Sequence, residues 1–204
     1  MINKGDIIIQ EKPVNVSWDE IHDVLWAAHA KNRENGIIMA FPSLAGEEIR
    51  KKIGDEGKMF VAMDGDKVVG TVGLIKSNAN RWYANGKCGH VCFAAVLPGY
   101  EGKGIYRSLN EKRELYAKEN NYSVLIADTN ERNTKMIEIK KKEGYRIIYY
   151  KACKDHYNVA MAKWLNGCPY PSWYIKLRFL LSKFKLKVRY KMVPGKGCVK
   201  RFGI

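Results

Sequence analysis

Phe93-Ala-Ala-Val-Leu-Pro-Gly-Tyr-Glu-Gly-Lys-Gly-Ile-Tyr-Arg-Ser-Leu109 changes character twice within its length. It opens as an apolar run through Val96 and Leu97, which predicts a buried strand. Pro98-Gly99 stops that strand. Gly102-Lys103-Gly104 follow, and the apolar positions then move to Ile105, Leu109 and Leu115, which predicts a helix. Strand, glycine-rich turn and helix start together make an anion cradle. The first amides of a helix have no internal partner and point outward, and the helix dipole adds partial positive charge at the same end. Glycine lets a phosphate reach the backbone with no Cβ in the way. Lys103 adds a full charge. The spacing excludes a P-loop, which needs Gly-Lys-Ser/Thr, and a dinucleotide fingerprint, which needs a third glycine.

Downstream, Tyr122-Ser-Val-Leu-Ile-Ala-Asp128 reads as the next strand. In Asn133-Thr-Lys-Met-Ile-Glu-Ile-Lys-Lys-Lys-Glu-Gly-Tyr145, Met136, Ile137 and Ile139 share one helix face and Gly144 sits at the C-cap. This order resembles the GNAT superfamily of acyl-CoA-dependent N-acyltransferases over residues 1 to 164. In that family a loop of the form Arg/Gln-x-x-Gly-x-Gly/Ala wraps the pyrophosphate of coenzyme A. Glu101, Gly104 and Tyr106 stand at its marked positions, and Gly104 alone keeps the pattern. A second family motif has Asn, an apolar pair, a Tyr and a closing Gly-Phe. Asn133, Met136, Ile137 and Gly144-Tyr145 fit it, with Lys140 where the Tyr usually stands.

The resemblance implies a GNAT-type fold of the α/β (α+β) class, with a mixed, mostly antiparallel central sheet flanked by helices. It implies acetyl-CoA as co-substrate and no metal. Gly102, Lys103, Gly104, Ile105 and Tyr106 would cradle the pyrophosphate, and Asn133 would bond the pantetheine or anchor its own loop. It further implies a bulge that splays the strand ending at Val96 from the strand ending at Asp128. Backbone N–H groups of Ala94, Ala95 and Val96 would then face the thioester and donate to its carbonyl oxygen.

Transfer to an amine also needs a base, because an amine near neutral pH is largely protonated. Strict alternation puts His90, Cys92, Ala94 and Val96 on one strand face. His90 has a suitable unperturbed pKa, near 6.5, and is read as the base, against a histidine merely paired to backbone. Lys140 at the tyrosine position would neutralise or protonate a thiolate, but an ordinary lysine pKa near 10.4 makes it a poor acid. The competing reading is a solvated lysine within Lys140-Lys-Lys142. Glu101 opposes phosphate binding unless it points away or holds Lys103 or Arg107.

The remaining chain supplies the frame. Its 204 residues suit one domain with a small appendage. Ile7 to Gln10 reads as a first strand, and Ser17-Trp-Asp-Glu20 as a capping box opening a helix that runs to about Asn32. Trp26 reads as core, and His29, Asn32 and Glu34 as a solvated helix end. Ser43 is the expected cap of a second helix ending at Ile53. Met59 to Met63 and Lys67 to Ile75 form a hairpin around Asp64-Gly65. Ser77 to Gly86 reads as a polar loop, Lys87 to Leu97 as a strand, and Ile147 to Tyr150 and Asn158 to Leu165 as two more. Five cysteines, with no Cys-x-x-Cys, fit reduced thiols in a cytoplasmic protein rather than a disulfide frame or zinc site. No apolar run approaches membrane-spanning length.

The net charge of +15 is concentrated at the end: residues 165 to 204 hold ten Lys/Arg and no Asp/Glu. Pro169 and Pro171 mark the boundary between a core at 1–164 and this basic extension at 165–204. Trp173 to Ser182 reads as a short helix. Phe184, Leu186, Val188 and Tyr190 alternate with Lys185, Lys187, Arg189 and Lys191, which reads as a strand with one basic face. The extension either packs on the core with its charges in water, or meets an anionic acceptor, a membrane surface or nucleic acid. It also steers anionic acetyl-CoA by its field.

The expectation is therefore an N-acetyltransferase, monomer or homodimer, that acetylates an amine of a small molecule, an anionic one or an amino sugar among the readings. The departures at Glu101, Tyr106 and Lys140 leave a second reading: a degenerate domain that binds acyl-CoA without turnover.

Overall fold

The computed structural model describes residues 7–37, 45–78, 81–84, 86–153, 156–193 and 197–200. In chain order the elements are β1 (Ile7–Glu11), α1 (Trp18–Ala28), α2 (Ala30–Glu34), α3 (Gly46–Ile53), β2 (Lys58–Asp64), β3 (Lys67–Asn78), β4 (Lys87–Val96) and α4 (Ile105–Glu119). They continue as β5 (Val124–Asn130), α5 (Thr134–Lys142), β6 (Arg146–Ala152), β7 (Tyr157–Trp164), α6 (Ser172–Arg189), β8 (Tyr190–Val193) and β9 (Gly197–Lys200). Seven strands form one sheet in the order β1-β2-β3-β4-β5-β7-β6. Every pairing in it is antiparallel except that of β4 with β5. The central sheet flanked by helices is the architecture the sequence predicts.

The apolar residues of the strands divide between two helical layers. Ile21, Val24 and Leu25 of α1 and Ile49 and Ile53 of α3 pack with Val61, Met63 and Val68 on one face. Ile105 and Leu109 of α4 pack with Phe60, Ala62, Val69 and Val72 on the other. The capping box at the start of α1 is present in full: Glu20 N–H donates to Ser17 Oγ at 3.1 Å, and Ser17 N–H to Glu20 Oε1 at 3.2 Å. Such a cap is worth about 1 kcal/mol of helix stability.

Several local expectations change. The first helix breaks at His29 and restarts at Ala30. Trp26 is 44% exposed, with the Arg33 guanidinium 3.8 Å over its ring, so it is a surface stack and not core. Ala45 holds the N-cap of α3, while Ser43 lies outside the described residues. Within the expected polar loop, Tyr83 and Ala84 are buried and packed beneath the sheet. Leu115 is exposed; α4 instead turns Ile105, Leu109, Arg113 and Ala117 inward, an unbroken i, i+4 series.

The expected strand at Phe184 to Tyr190 is helix: α6 runs without interruption to Arg189. Its inner side meets β6, where Phe179 lies against the Tyr150 ring at 5.5 Å. Tyr174 meets Trp82 at 5.8 Å. Leu186 turns toward the core while Phe184 and Val188 turn to water. A helix apolar on two opposite sides imitates the period of a strand over such a short span.

Candidate active site

The site forms where β4 and β5 part. Their parallel pairing runs from Cys88↔Val124 to Val91↔Ala127, after which β4 continues to Val96 and β5 to Asn130. The cause lies on the other edge of β4. Gly73 pairs with Cys92 and Thr71 with Ala95, so Val72 alone opposes both Phe93 and Ala94. This is a β-bulge. Phe93 takes a left-handed φ of 49°, a conformation that costs an L-residue about 1 kcal/mol or more. The bulge is held by side chains far off in sequence. Thr71 Oγ1 donates to the Phe93 carbonyl at 2.8 Å, and His29 Nε2 donates to the Ala94 carbonyl at 3.0 Å. Asn32 Nδ2 lies 3.0 Å from His29 Nδ1 and donates to it. His29 is therefore no solvated helix end. Burial, with Arg33 adding to it, lowers its pKa, and the bond to Ala94 pulls the other way. The break in the first helix puts the imidazole at this position.

The bulge also overturns strict alternation. Cys92, Phe93 and Ala95 face the α1/α3 layer, and Ala94 and Val96 face α4. His90 and Ala94 thus do not share a face. His90 meets a partner from β5 instead: Nε2 is 2.8 Å from Asp128 Oδ2, with about a third of each side chain exposed. Against a carboxylate, Nε2 is the donor, which leaves Nδ1 as the basic nitrogen. Asp128 had appeared in the sequence only as a strand end. Both residues line a cavity of about 510 Å³ that passes through the gap and joins the α1/α3 side to the α4/α5 side.

Four charged side chains line it: Lys52, Arg113, Asp128 and Lys140. Lys140 is buried, contrary to the solvated reading. Its Nζ is 2.7 Å from Glu143 Oε2 and lies between the rings of Tyr106, at 5.5 Å, and Tyr145, at 4.9 Å. Glu143 also accepts from Asn110 Nδ2 at 3.1 Å, and Asn110 Oδ1 accepts from Arg113 Nη2. Arg113 is fully buried, donates through Nη1 to the Gly73 carbonyl at 3.3 Å, and has no hydrogen-bond partner for Nε. This relay of two cations and one carboxylate was not read from the sequence, although an arginine on an apolar stripe is its signal. Cys92 also lines the cavity. Burial pushes its thiol up to about 12, against the pull of Arg113 and Lys52, so it stays protonated.

The glycine loop is open as a cradle must be. Gly99, Gly102 and Gly104 have φ of 87°, 75° and 80°, and a Cβ built on any of them meets nothing within 4 Å. Gly104 caps α4 with no side-chain bond, and the first intrahelical donor is Ser108 N–H to the Gly104 carbonyl. The amides of Ile105, Tyr106 and Arg107 precede it and have no helical partner. Lys103 Nζ lies 5.0 Å over the Tyr100 ring, and Arg107 pairs with Glu111 at 2.9 Å, so these cations take partners other than Glu101. Tyr106 reaches Met136 Sδ with its hydroxyl at 3.6 Å and lines the cavity. The Asn133 side chain caps α5 by accepting from Met136 N–H at 3.3 Å while also lining the cavity. An orphaned buried Nε, free helix amides and glycines with open space above them suit a long anionic co-substrate such as acetyl-CoA. Among the described residues no group of three or more His, Cys, Asp or Glu is placed to hold a metal ion.

The chain matches the family model described as the Acetyltransferase (GNAT) family over residues 18–145. A search of curated protein sequences gives no match. Among solved structures, a GNAT-family acetyltransferase from Staphylococcus aureus Mu50 superposes with a TM-score of 0.61 at 21% identity, covering 78% of this chain and 99% of that one. The ribosomal-protein-S18-alanine N-acetyltransferase from Escherichia coli gives 0.60 at 14% identity, over 78% and 94%. FeeM, an N-acyl amino acid synthase from uncultured soil microbes, gives 0.58 at 16% identity, over 87% and 97%. At these identities the structural likeness speaks for the fold.

Proposed function

This chain belongs to the acetyltransferase (GNAT) family, whose members are acyltransferases that use acetyl-CoA, and from that premise we propose direct acetyl transfer to the amine of a small, negatively charged acceptor with His90 as general base. The observation that carries this reading is the His90–Asp128 pair at the parting of β4 and β5. Acetyl-CoA supplies the acyl group as a thioester. The amides of Gly102 to Tyr106, with Lys103, would hold its pyrophosphate, and Asn133 would keep the α5 turn in place beside the pantetheine. Asp128 fixes the imidazole so that His90 Nδ1 takes the amine proton as the nitrogen–carbon bond forms and the carbon–sulfur bond breaks. Ala95 pairs with Thr71 on the β3 edge, so the N–H groups of Ala94 and Val96 would be the donors for the carbonyl oxygen.

Lys140 is held by Glu143, so with Arg113 it contributes positive potential beside the departing sulfur, which takes its proton from solvent. Cys92, kept as a thiol by burial, is a poor nucleophile for an acyl carrier, which supports direct transfer. Lys52, the lining cation on the α3 side, supports an acceptor with a carboxylate or phosphate. We assign this chemistry to residues 1–164 and treat 165–204 as an appended element.

Calorimetric titration with acetyl-CoA, on wild type and Gly104→Glu, followed by a thiol-release screen of amino sugars, nucleotide-linked amino sugars and amino acids, tests this. Micromolar binding lost in the variant and release with anionic amines are expected. Binding without release above the blank for any amine would favour the degenerate acyl-CoA-binding reading, for which the locked Lys140 is the supporting observation. No binding at all would reduce the likeness to fold alone.

A further inference from the structure

Helix α6 carries an apolar stripe on the side that faces away from the protein. Trp173, Leu177, Leu180, Leu181, Phe184 and Val188 are each between 43% and 67% exposed. At about 100° per residue they fall within one arc of about 100°. The opposite arc, with Ile175 and Phe179, is the one packed on β6. Between the two arcs lie the cations: Lys176, Lys183 and Lys187 along one border of the stripe, Arg178, Lys185 and Arg189 along the other, all exposed. No Asp or Glu occurs from residue 165 to 204. The stripe runs about 24 Å along the helix.

We propose that α6 docks this protein on the surface of an anionic lipid bilayer. A helix lying in the interface sinks its apolar face among the acyl chains while flanking cations meet the phosphates. Here the anchoring and docking faces are separate, so docking needs no rearrangement of the core. Trp173, at one end of the stripe, has the amphipathic ring that favours the lipid–water boundary. The other occupants fit less well. A second copy would set six cations against six. Nucleic acid would use the charges and leave the stripe in water. No helix of the described residues is long and apolar enough to cross a membrane, so the contact is peripheral.

The test is co-sedimentation of the full chain with phosphatidylcholine vesicles, with and without phosphatidylglycerol. Binding to the anionic vesicles alone is expected. It should fall about tenfold or more both in Leu180→Asp/Phe184→Asp and in Lys185→Gln/Lys187→Gln/Arg189→Gln. Thermal unfolding of the variants should match wild type, because all five positions are at the surface or its border. As a readout in the native chain, brominated acyl chains should quench tryptophan emission in wild type and much less in Trp173→Phe. Absence of binding to anionic vesicles would overturn the proposal. So would Leu180→Asp/Phe184→Asp binding as wild type does, which would point to a polyanion such as nucleic acid. Quenching unchanged by Trp173→Phe would overturn it as well.

Discussion

His90 acquires its role from a residue 38 positions away. On its own strand it is one polar side chain among small ones. Only the parallel register, which sets His90 opposite Ile126 just before the strands part, brings Asp128 within reach. His90→Gln should lower kcat/KM by about a hundredfold or more. Asp128→Asn should cost less, since it acts through the imidazole. Acetyl-CoA affinity should hold in both. A rate left at the wild-type value by His90→Gln would eliminate the base assignment. His29 carries the second expectation at this scale. Its folded pKa lies below the unfolded value, so unfolding takes up a proton. The stability it contributes is present above about pH 6.5 and drains as pH falls through that value toward the lowered one. Wild type should lose thermal stability between neutral and mildly acid pH more steeply than His29→Gln; equal slopes would refute the link. Neither histidine's partner is visible in sequence, because hydrogen bonds across strands and between a helix end and a bulge depend on register rather than on spacing.

The loop-to-helix element was legible because its signal is local: a strand stop, three glycines and a helix period within a short span. The buried relay between α4 and α5 was not. Lys140 sits in a run of three lysines, and a charge run ordinarily marks a solvated face. The rotation of α5 on the sheet turns one of the three inward, where Glu143, three residues on, follows it. Arg113 likewise occupies a stripe position that an aliphatic residue would fill. The relay makes a directional expectation. Glu143→Gln strands Lys140 beside Arg113 with no carboxylate and should cost about 3 kcal/mol, near the lower end for a broken buried pair because Glu143 keeps a quarter of its side chain exposed. Lys140→Met removes a buried cation and leaves Glu143 with Asn110, so it should cost distinctly less. Denaturant unfolding of the two variants gives the order, and the reverse order would mean that Lys140 is the member the relay depends on. Helix α6 failed as a strand expectation for a related reason: over a short span, period two arises equally from a pleated ribbon and from a helix that is apolar on two opposite sides.

At the scale of the whole molecule, charge and distance separate two roles that composition merges. Ten of the fifteen excess positive charges belong to residues 165–204. Read from sequence alone, they draw in acetyl-CoA by their field. The sheet order places β7 and β6 beyond β5, and α6 packs on β6. Three strand spacings put that edge about 14 Å from β4. The Debye length is about 8 Å at physiological ionic strength and about 30 Å at 0.01 M. The α6 cations therefore reach the β4/β5 gap only in dilute salt. Neutralising Lys185, Lys187 and Arg189 to glutamine should leave the acetyl-CoA dissociation constant unchanged at physiological salt. In dilute salt it should slow association several-fold, with dissociation unaffected. Stopped-flow measurement at the two salt concentrations checks this. A weakened complex at physiological salt would mean that the extension touches the co-substrate and belongs to the site. An unchanged complex would leave the basic helix free for a partner of its own.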